Sequence, residues 1–259
     1  MTVELFGRTR GEGPWLVMLH GLFGSGDNLG GIARLLSEHF KILLLDLRNH
    51  GRSPHSASMS YSEMAADVLA ALDREGIDAA HVFGHSMGGK VAMQLALKAP
   101  ERIHSLVVGD ISPIQYGDNH GRILEGMQAV ADAAPQSHQE AQALMAEFED
   151  EPGVLSFLMT NWRKNENGRW GWRVNLDAIV SRYSDIASGT EEGTFNGPVL
   201  FLRGENSDYV QAAHKDKILA LFPAATVKTI SGTGHWLHAE KPDMVARSML
   251  RFFEQAECS

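Results

Sequence analysis

The chain contains little cysteine, little basic charge and no long apolar run. Cys258 is the only cysteine in 259 residues. A single cysteine excludes an intrachain disulfide and a zinc site built from several cysteines, and it favours a reducing compartment. Lysine and arginine number 23 against 32 acidic residues, for a formal charge of −9. This surplus of negative charge does not attract a nucleic-acid backbone, so we predict no nucleic-acid partner.

The apolar stretches are short, as at residues 42–45, whereas a membrane-spanning helix needs roughly 20 apolar residues. Residues 1–7 include an acidic residue and lack the basic segment and apolar run of a secretory signal. We therefore predict no membrane span and expect a cytoplasmic location.

Short apolar runs alternate with longer stretches of helical periodicity, which is typical of a parallel sheet with crossover helices. Ser60 and Glu63 form a capping box that begins one helix, and Gly76 ends it. Further helices are predicted at residues 87–100 and 244–253. Six strands are predicted, at residues 15–19, 41–46, 80–84, 105–110, 198–203 and 225–230.

This alternation is interrupted between Ser112 and about Asn196, where the periodicity is helical and no convincing strand is present. Helices are predicted there at residues 139–148, 153–162 and 175–186. The sequence thus predicts an α/β fold with a mostly parallel central sheet and helices on both faces. Residues 1–112 and 197–259 form this core, and residues 113–196 form an inserted helical cap.

The chemistry-bearing motif is a predicted strand that runs directly into Gly-x-Ser-x-Gly and then into a helix. A serine on such a turn needs very small neighbours, because the strand and the helix approach closely. Gly84, Gly88 and Gly89 provide them. The five-residue pattern alone is short enough to occur by chance, and its place between strand and helix makes it specific. We predict that Ser86 is a nucleophile.

A serine hydroxyl becomes a nucleophile only when a base removes its proton, and the oxyanion that forms needs preorganised donors. His235 is the predicted base, since it follows the last strand in a loop that contains two glycines. The predicted oxyanion donors are the backbone N–H of Met87, directly after the nucleophile, and that of Leu22, with that of Phe23 as an additional candidate. The glycine-rich loop around Leu22 lacks the Lys-Ser/Thr ending of a phosphate-binding loop.

Six segments, taken in order, resemble α/β-hydrolases, and more narrowly the YbfF-type esterases and their animal mitochondrial relatives. They are residues 20–25, 46–53, 84–90, 110–113, 206–210 and 234–240. The resemblance spans nearly the whole chain, although only the first three segments are common across the superfamily. It implies a cap over the site, cleavage of esters or thioesters, and neither a metal nor a cofactor. It also implies that Asp46 and Arg48 form a charge pair that holds a loop.

Two aspartates compete to orient His235. Asp208 follows the strand after which most α/β-hydrolases carry the acid, and Asp110 ends the preceding strand. Both lie at the carboxyl ends of strands, so spacing favours neither. In the YbfF-type subgroup the acid is the aspartate of Asp-Ile-Ser-Pro, and the resemblance therefore favours Asp110.

These residues predict a serine hydrolase that cleaves carboxylic esters or acyl thioesters, acyl-CoA among them, through an acyl-enzyme. Its partner would be a small-molecule acyl ester or thioester. Serine at position 86 excludes relatives whose nucleophile is a carboxylate. Two alternatives stay open: a cofactor-free serine-dependent lyase or C–C hydrolase on the same fold, and a non-enzymatic receptor or scaffold.

Substrate selection is predicted to reside in the cap. His120 is placed near the entrance, and Trp162, Trp170 and Trp172 are placed in an apolar wall above Ser86. Trp236, next to the predicted base, is assigned to the same pocket. The alternative for the aromatic residues of the cap is that they form its own core.

Overall fold

The computed structural model describes residues 1–257, and Cys258 lies outside them. Within the described residues the chain forms nine strands: β1 (Gly7–Arg10), β2 (Trp15–Leu19), β3 (Lys41–Leu45), β4 (Ala80–His85), β5 (Ile103–Gly109), β6 (Trp162–Lys164), β7 (Trp170–Trp172), β8 (Val199–Gly204) and β9 (Ala225–Ile230). In the same residues it forms eleven α-helices: α1 (Gly30–Leu36), α2 (Tyr61–Arg74), α3 (Met87–Lys98), α4 (Gly121–Ala133), α5 (His138–Met145), α6 (Pro152–Met159), α7 (Leu176–Ser181), α8 (Tyr183–Ala187), α9 (Lys215–Leu221), α10 (Leu237–Glu240) and α11 (Pro242–Glu257). The predicted capping box is present at Ser60, and Gly76 after α2 has a φ of 66°.

Seven strands form one sheet in the order β1-β3-β2-β4-β5-β8-β9. All neighbours are parallel except β1, which pairs antiparallel with β3. The six predicted strands are confirmed to within two residues at each end. The sequence does not predict β1, because Gly-Arg-Thr-Arg is short, polar and mostly exposed at the sheet edge.

Helices cover both faces of the sheet, as predicted. On one face α2 and α3 pack over buried side chains such as Val17 and Val82. On the other face α1 and α11 pack together over side chains such as Leu16 and Met18. Successive residues of a strand point to opposite faces. The central strands are therefore buried on both sides, which explains their continuous apolar sequences.

Residues 113–196, hereafter the helical segment, lie between β5 and β8 and contain α4 to α8. They also contain an antiparallel hairpin of β6 and β7. This corrects the prediction that the segment has no strand. Strands of three residues are too short for the alternation of apolar and polar side chains to reveal them.

Both ends of the helical segment are bound by Lys90, which is buried in α3. Its Nζ donates to the carbonyl oxygen of Ile114 at 2.8 Å and to that of Ser188. One turn further along α3, Gln94 exchanges hydrogen bonds with Glu191. The hydrogen bonds of the ammonium group within the described residues go to backbone carbonyl oxygens, and burial lowers the pKa of Lys90 to about 7.

The charge pair predicted between Asp46 and Arg48 is not found among the described residues. The guanidinium of Arg48 is fully buried and bonds Asp67 at 2.6 and 2.9 Å. The carboxylate of Asp46 accepts the backbone N–H groups of Gly26 and Arg52 at 2.7 and 2.8 Å. Both residues hold loops, but each does so through a different partner. No helix of the described chain is both long enough and apolar enough to cross a membrane.

Candidate active site

Ser86 lies in the sharp turn between β4 and α3. Its φ of 53° and ψ of −121° are rare for a residue with a side chain. A Cβ atom on Gly84 would lie 2.1 Å from the carbonyl oxygen of Gly88, and one on Gly88 would lie 2.4 Å from that of Leu19. Only glycine fits these two positions. The tight turn holds Ser86 at the carboxyl end of the sheet.

His235 lies in the loop between β9 and α10, with its Nε2 3.0 Å from Ser86 Oγ. Its ring stacks on Tyr209 with the ring centroids 4.2 Å apart. Its backbone carbonyl accepts a hydrogen bond from His85 Nε2 at 2.8 Å. The imidazole is thus held from its face and from its backbone.

Asp110 directly follows β5, is fully buried and has a φ of 50°. Its Oδ2 lies 2.8 Å from His235 Nδ1 and also accepts a hydrogen bond from the hydroxyl of Ser207. Its Oδ1 accepts from the N–H of Gly204 at 2.9 Å. The side chain of Asp208 is exposed, and no hydrogen bond among residues 1–257 joins its carboxylate to His235. The structure therefore brings Asp110, rather than Asp208, to the imidazole.

The N–H groups of Leu22 and Met87 lie in the turns that flank Ser86, and no hydrogen bond within the described chain uses either of them. The N–H of Phe23 is engaged, because it donates to His50 Nε2 at 3.1 Å. Burial, together with the nearby His20, lowers the pKa of His50 to about 3, so its ring is neutral and can accept this bond. Phe23 is thus removed from the predicted oxyanion donors, and Leu22 and Met87 remain.

Four further histidines line the same cavity as His235. Burial lowers the pKa of His20, His120 and His238 to about 4 in each case, and that of His85 well below its usual range. These rings are therefore uncharged near neutral pH. Among the side chains of residues 1–256 no group of three or more histidine, cysteine, aspartate or glutamate residues is arranged to hold a metal ion.

A cavity of about 250 Å³ opens beside Ser86 and His235. Most of its wall is apolar, with contributions from Leu22, Phe23, Leu29, Ile123, Phe157 and Leu158. The structure places His120 and Trp236 in this wall. An apolar cavity with a few polar groups at one point is the usual form of a small-molecule site.

The three tryptophans of the helical segment do not line this cavity. The ring of Trp162 is buried edge-on against Trp172, with the centroids 5.1 Å apart, and Trp172 Nε1 donates to the carbonyl oxygen of Met127 at 2.8 Å. Trp170 lies under the ammonium of Lys164. The pocket prediction is corrected for these residues. They pack in the core and on the surface of the segment, because β6 and β7 place them away from Ser86.

Ser207 and Tyr209 contact the site residues, and sequence reasoning does not single them out for a role there. Each holds a neighbour in place, and such contacts have no motif of their own. Ser207 and Tyr209 do fall in residues 206–210, one of the segments that carry the family resemblance, and this is the one sequence signal that points to them.

Comparisons with known proteins agree with the fold. The profile of the α/β hydrolase fold family matches residues 14–147. The chain is 41% identical over 238 residues to esterase YbfF of Escherichia coli (strain K12), which covers 92% of each chain. It is also 41% identical over 255 residues to the sn-1-specific diacylglycerol lipase ABHD11 of Xenopus tropicalis, which covers 94% of this chain and 79% of that one.

Among solved structures, a marine microorganism esterase superposes with a TM-score of 0.94 at 36% identity, covering 97% of this chain and 100% of that one. The predicted fold class is therefore confirmed. The chain belongs to the α/β-hydrolase fold family.

Proposed function

We propose that this protein is a serine hydrolase that cleaves carboxylic esters of small molecules through an acyl-enzyme. One observation carries the proposal: Ser86 Oγ, His235 and Asp110 form a continuous hydrogen-bonded chain with separations of 3.0 and 2.8 Å beside an open cavity. This arrangement activates a serine toward acyl groups on several unrelated folds. The similar proteins that are named esterase and lipase support an ester as the substrate.

In the proposed reaction the ionised Asp110 accepts the Nδ1–H of His235, which leaves the Nε2 lone pair facing the hydroxyl of Ser86. Ser86 Oγ attacks the ester carbonyl carbon while Nε2 takes its proton. Negative charge then develops on the carbonyl oxygen, where the N–H groups of Leu22 and Met87 stabilise it. His235 next protonates the departing alcohol, and an acyl group stays on Ser86. A water molecule, deprotonated by the same imidazole, releases the acid.

The helical segment is the proposed cap of this site. Its residues His120, Ile123 and Phe157 belong to the wall of the cavity, while Ser86 and His235 come from the sheet end. A change in the segment would therefore alter which substrates fit without moving the reacting groups. We place the protein in the cytoplasm on the strength of its low cysteine content.

Thioesters are open to the same attack, because a thiolate leaves at least as readily as an alkoxide. Acyl-CoA also carries phosphates, which need cations near the leaving group. Glu149 is the one side chain of the cavity wall that carries a formal charge at neutral pH, and no lysine or arginine of the described chain lines this cavity. We therefore propose esters and uncharged thioesters ahead of acyl-CoA.

The test combines a fluorophosphonate probe with p-nitrophenyl butyrate hydrolysis. We expect the probe to label Ser86, with labelling lost and hydrolysis reduced at least about 10³-fold in Ser86→Ala. Ser231→Ala, in an exposed loop, is the matched control and should behave as the wild type. A folded wild type that is not labelled would support a receptor, and labelling without hydrolysis of any ester would support a lyase or C–C hydrolase.

A further inference from the structure

The space around Ser86 is divided into two chambers of unequal size. The cavity described above, of about 250 Å³, is the wide chamber. The narrow chamber, of about 40 Å³, is lined by residues that include Tyr61, Met87, Lys90, Ile111, Tyr116 and Ile186. Ser86, Leu22 and His120 line both chambers, whereas His235 lines only the wide one.

This difference between the chambers decides which of them takes the acyl part of an ester and which takes the alcohol part. The tetrahedral carbon formed by attack carries Ser86 Oγ, the oxyanion, the leaving oxygen and the acyl chain. His235 must reach the leaving oxygen to protonate it, so the alcohol lies in the wide chamber. The acyl chain takes the remaining direction, away from His235 and past Met87, into the narrow chamber.

The size of the narrow chamber limits the acyl chain. At about 40 Å³ against about 250 Å³, the narrow chamber has roughly a sixth of the room of the wide one. We therefore assign a short acyl chain to it, such as that of an acetyl, propanoyl or butanoyl ester. Side chains such as Ile186, which is 6% exposed, narrow the space that a longer chain would need.

The buried polar groups of the narrow chamber are already paired. The hydroxyl of Tyr61 donates to the carbonyl oxygen of Ile186, and that of Tyr116 donates to the carbonyl oxygen of Tyr209. The ammonium of Lys90 donates to backbone carbonyl oxygens of the helical segment. The hydroxyls of Tyr61 and Tyr116 and the ammonium of Lys90 thus have no hydrogen left for a polar group at the end of an acyl chain, and a plain alkyl chain suits this part of the wall.

The wide chamber has the opposite character. It adjoins a surface cavity of about 560 Å³ with which it shares Phe157, His235 and Trp236. Glu151 and Glu240 stand in the wall of that outer cavity, and none of the lysines or arginines of residues 1–257 does. A bulky, largely apolar alcohol without negative charge fits this side.

We propose that this protein selects short, unsubstituted acyl esters of bulky apolar alcohols, with the acyl group in the narrow chamber and the alcohol in the wide one. The proposal rests on the serine hydrolase function proposed above.

The first experiment measures kcat/KM of the wild type for p-nitrophenyl esters from acetate to dodecanoate. We expect the maximum between acetate and butanoate, and a fall of at least tenfold by octanoate. Monobutyl succinate, whose acyl chain ends in a carboxylate, should be cleaved at least tenfold more slowly than butyl butanoate. This panel needs no variant, so it decides the proposal even if a variant fails to fold.

The second experiment compares Ile186→Ala with Phe157→Ala, which enlarge the narrow and the wide chamber respectively. In Ile186→Ala the maximum of kcat/KM should move to the hexanoate or octanoate ester. Phe157→Ala should leave the acyl profile unchanged and alter the ratio of naphthyl to ethyl butanoate cleavage. Neither side chain belongs to the proposed reacting groups, and both variants should still react with the fluorophosphonate probe.

A wild-type maximum at octanoate or longer would overturn the chamber assignment, and so would a shift of the acyl profile by Phe157→Ala alone. In either case Ser86 would still be labelled and esters would still be cleaved, so the proposed function would stand. If no ester of any chain length were hydrolysed, the function itself would fail, and the two failures are therefore distinguishable.

Discussion

Asp110→Asn keeps the shape of the side chain and removes its charge. When His235 holds the proton of the serine, its Nδ1 lies 2.8 Å from Asp110 Oδ2. At that distance and an effective dielectric constant of about 20, the attraction between the imidazolium and the carboxylate is about 6 kcal/mol. Loss of this attraction in the transition state would lower the rate by a factor of about 10⁴. A carboxamide can also donate to Nδ1, which would place the ring proton on Nε2, where it faces Ser86 and blocks proton removal. We expect kcat to fall by about 10³ to 10⁴, with KM little changed.

The assay is p-nitrophenyl butyrate hydrolysis at neutral pH, with thermal unfolding measured in parallel. Asp208→Asn is the matched control, because it changes the competing aspartate, which is exposed. We expect this variant to keep at least half of the wild-type kcat. Retention of more than a tenth of the wild-type kcat in a folded Asp110→Asn variant would refute the reasoning. A comparable loss in Asp208→Asn would return the assignment to that residue.

Three further predictions concern stability, each measured as the free energy of unfolding in urea. Gly88→Ala should lower it by about 3 kcal/mol or more, because the new Cβ would lie 2.4 Å from a backbone oxygen of β2. Gly31→Ala in α1 has open space and should raise it by about 0.5–1 kcal/mol, and equal effects of the two would contradict the argument. His20 and His50 are buried with pKa values lowered to about 4 and about 3. The unfolded chain therefore binds more protons below the ordinary pKa of about 6.5, and stability should fall as pH falls from about 6.5 to about 4, by up to about 1.4 kcal/mol per pH unit for each histidine. Stability that stays constant over this range would contradict the assignment of neutral rings. Arg48→Met leaves its buried carboxylate partner unpaired and should cost about 3–5 kcal/mol, whereas a loss below about 1 kcal/mol would show that the ion pair matters little.

The central sheet could be predicted from the sequence because its strands are buried on both faces and so carry continuous apolar runs. β1 has no such run, and β6 and β7 have only three residues each. Their pairing depends on partners elsewhere in the chain. The helix predicted at residues 175–186 is divided into α7 and α8 by Arg182, whose φ of −112° departs from helical geometry.

The candidate site was predictable where the chemistry is local. The turn around Ser86 needs glycines at fixed offsets, and these are visible in the sequence. The choice between Asp110 and Asp208 depended on resemblance, because both follow strands that end at the same edge of the sheet. The engagement of the Phe23 N–H by His50 depends on contacts between residues 27 positions apart, which no local pattern contains.

Lys90 brings Ile114 and Ser188 to a single ammonium group. The separation of these two residues is therefore fixed by one side chain and does not depend on how many residues lie between them. We expect that residues 115–187 could be exchanged as a unit for a shorter or differently shaped sequence while β5 and β8 keep their pairing. Replacement of one continuous stretch of the gene would then be enough to change the substrate preference, with the sheet and the reacting serine left as they are.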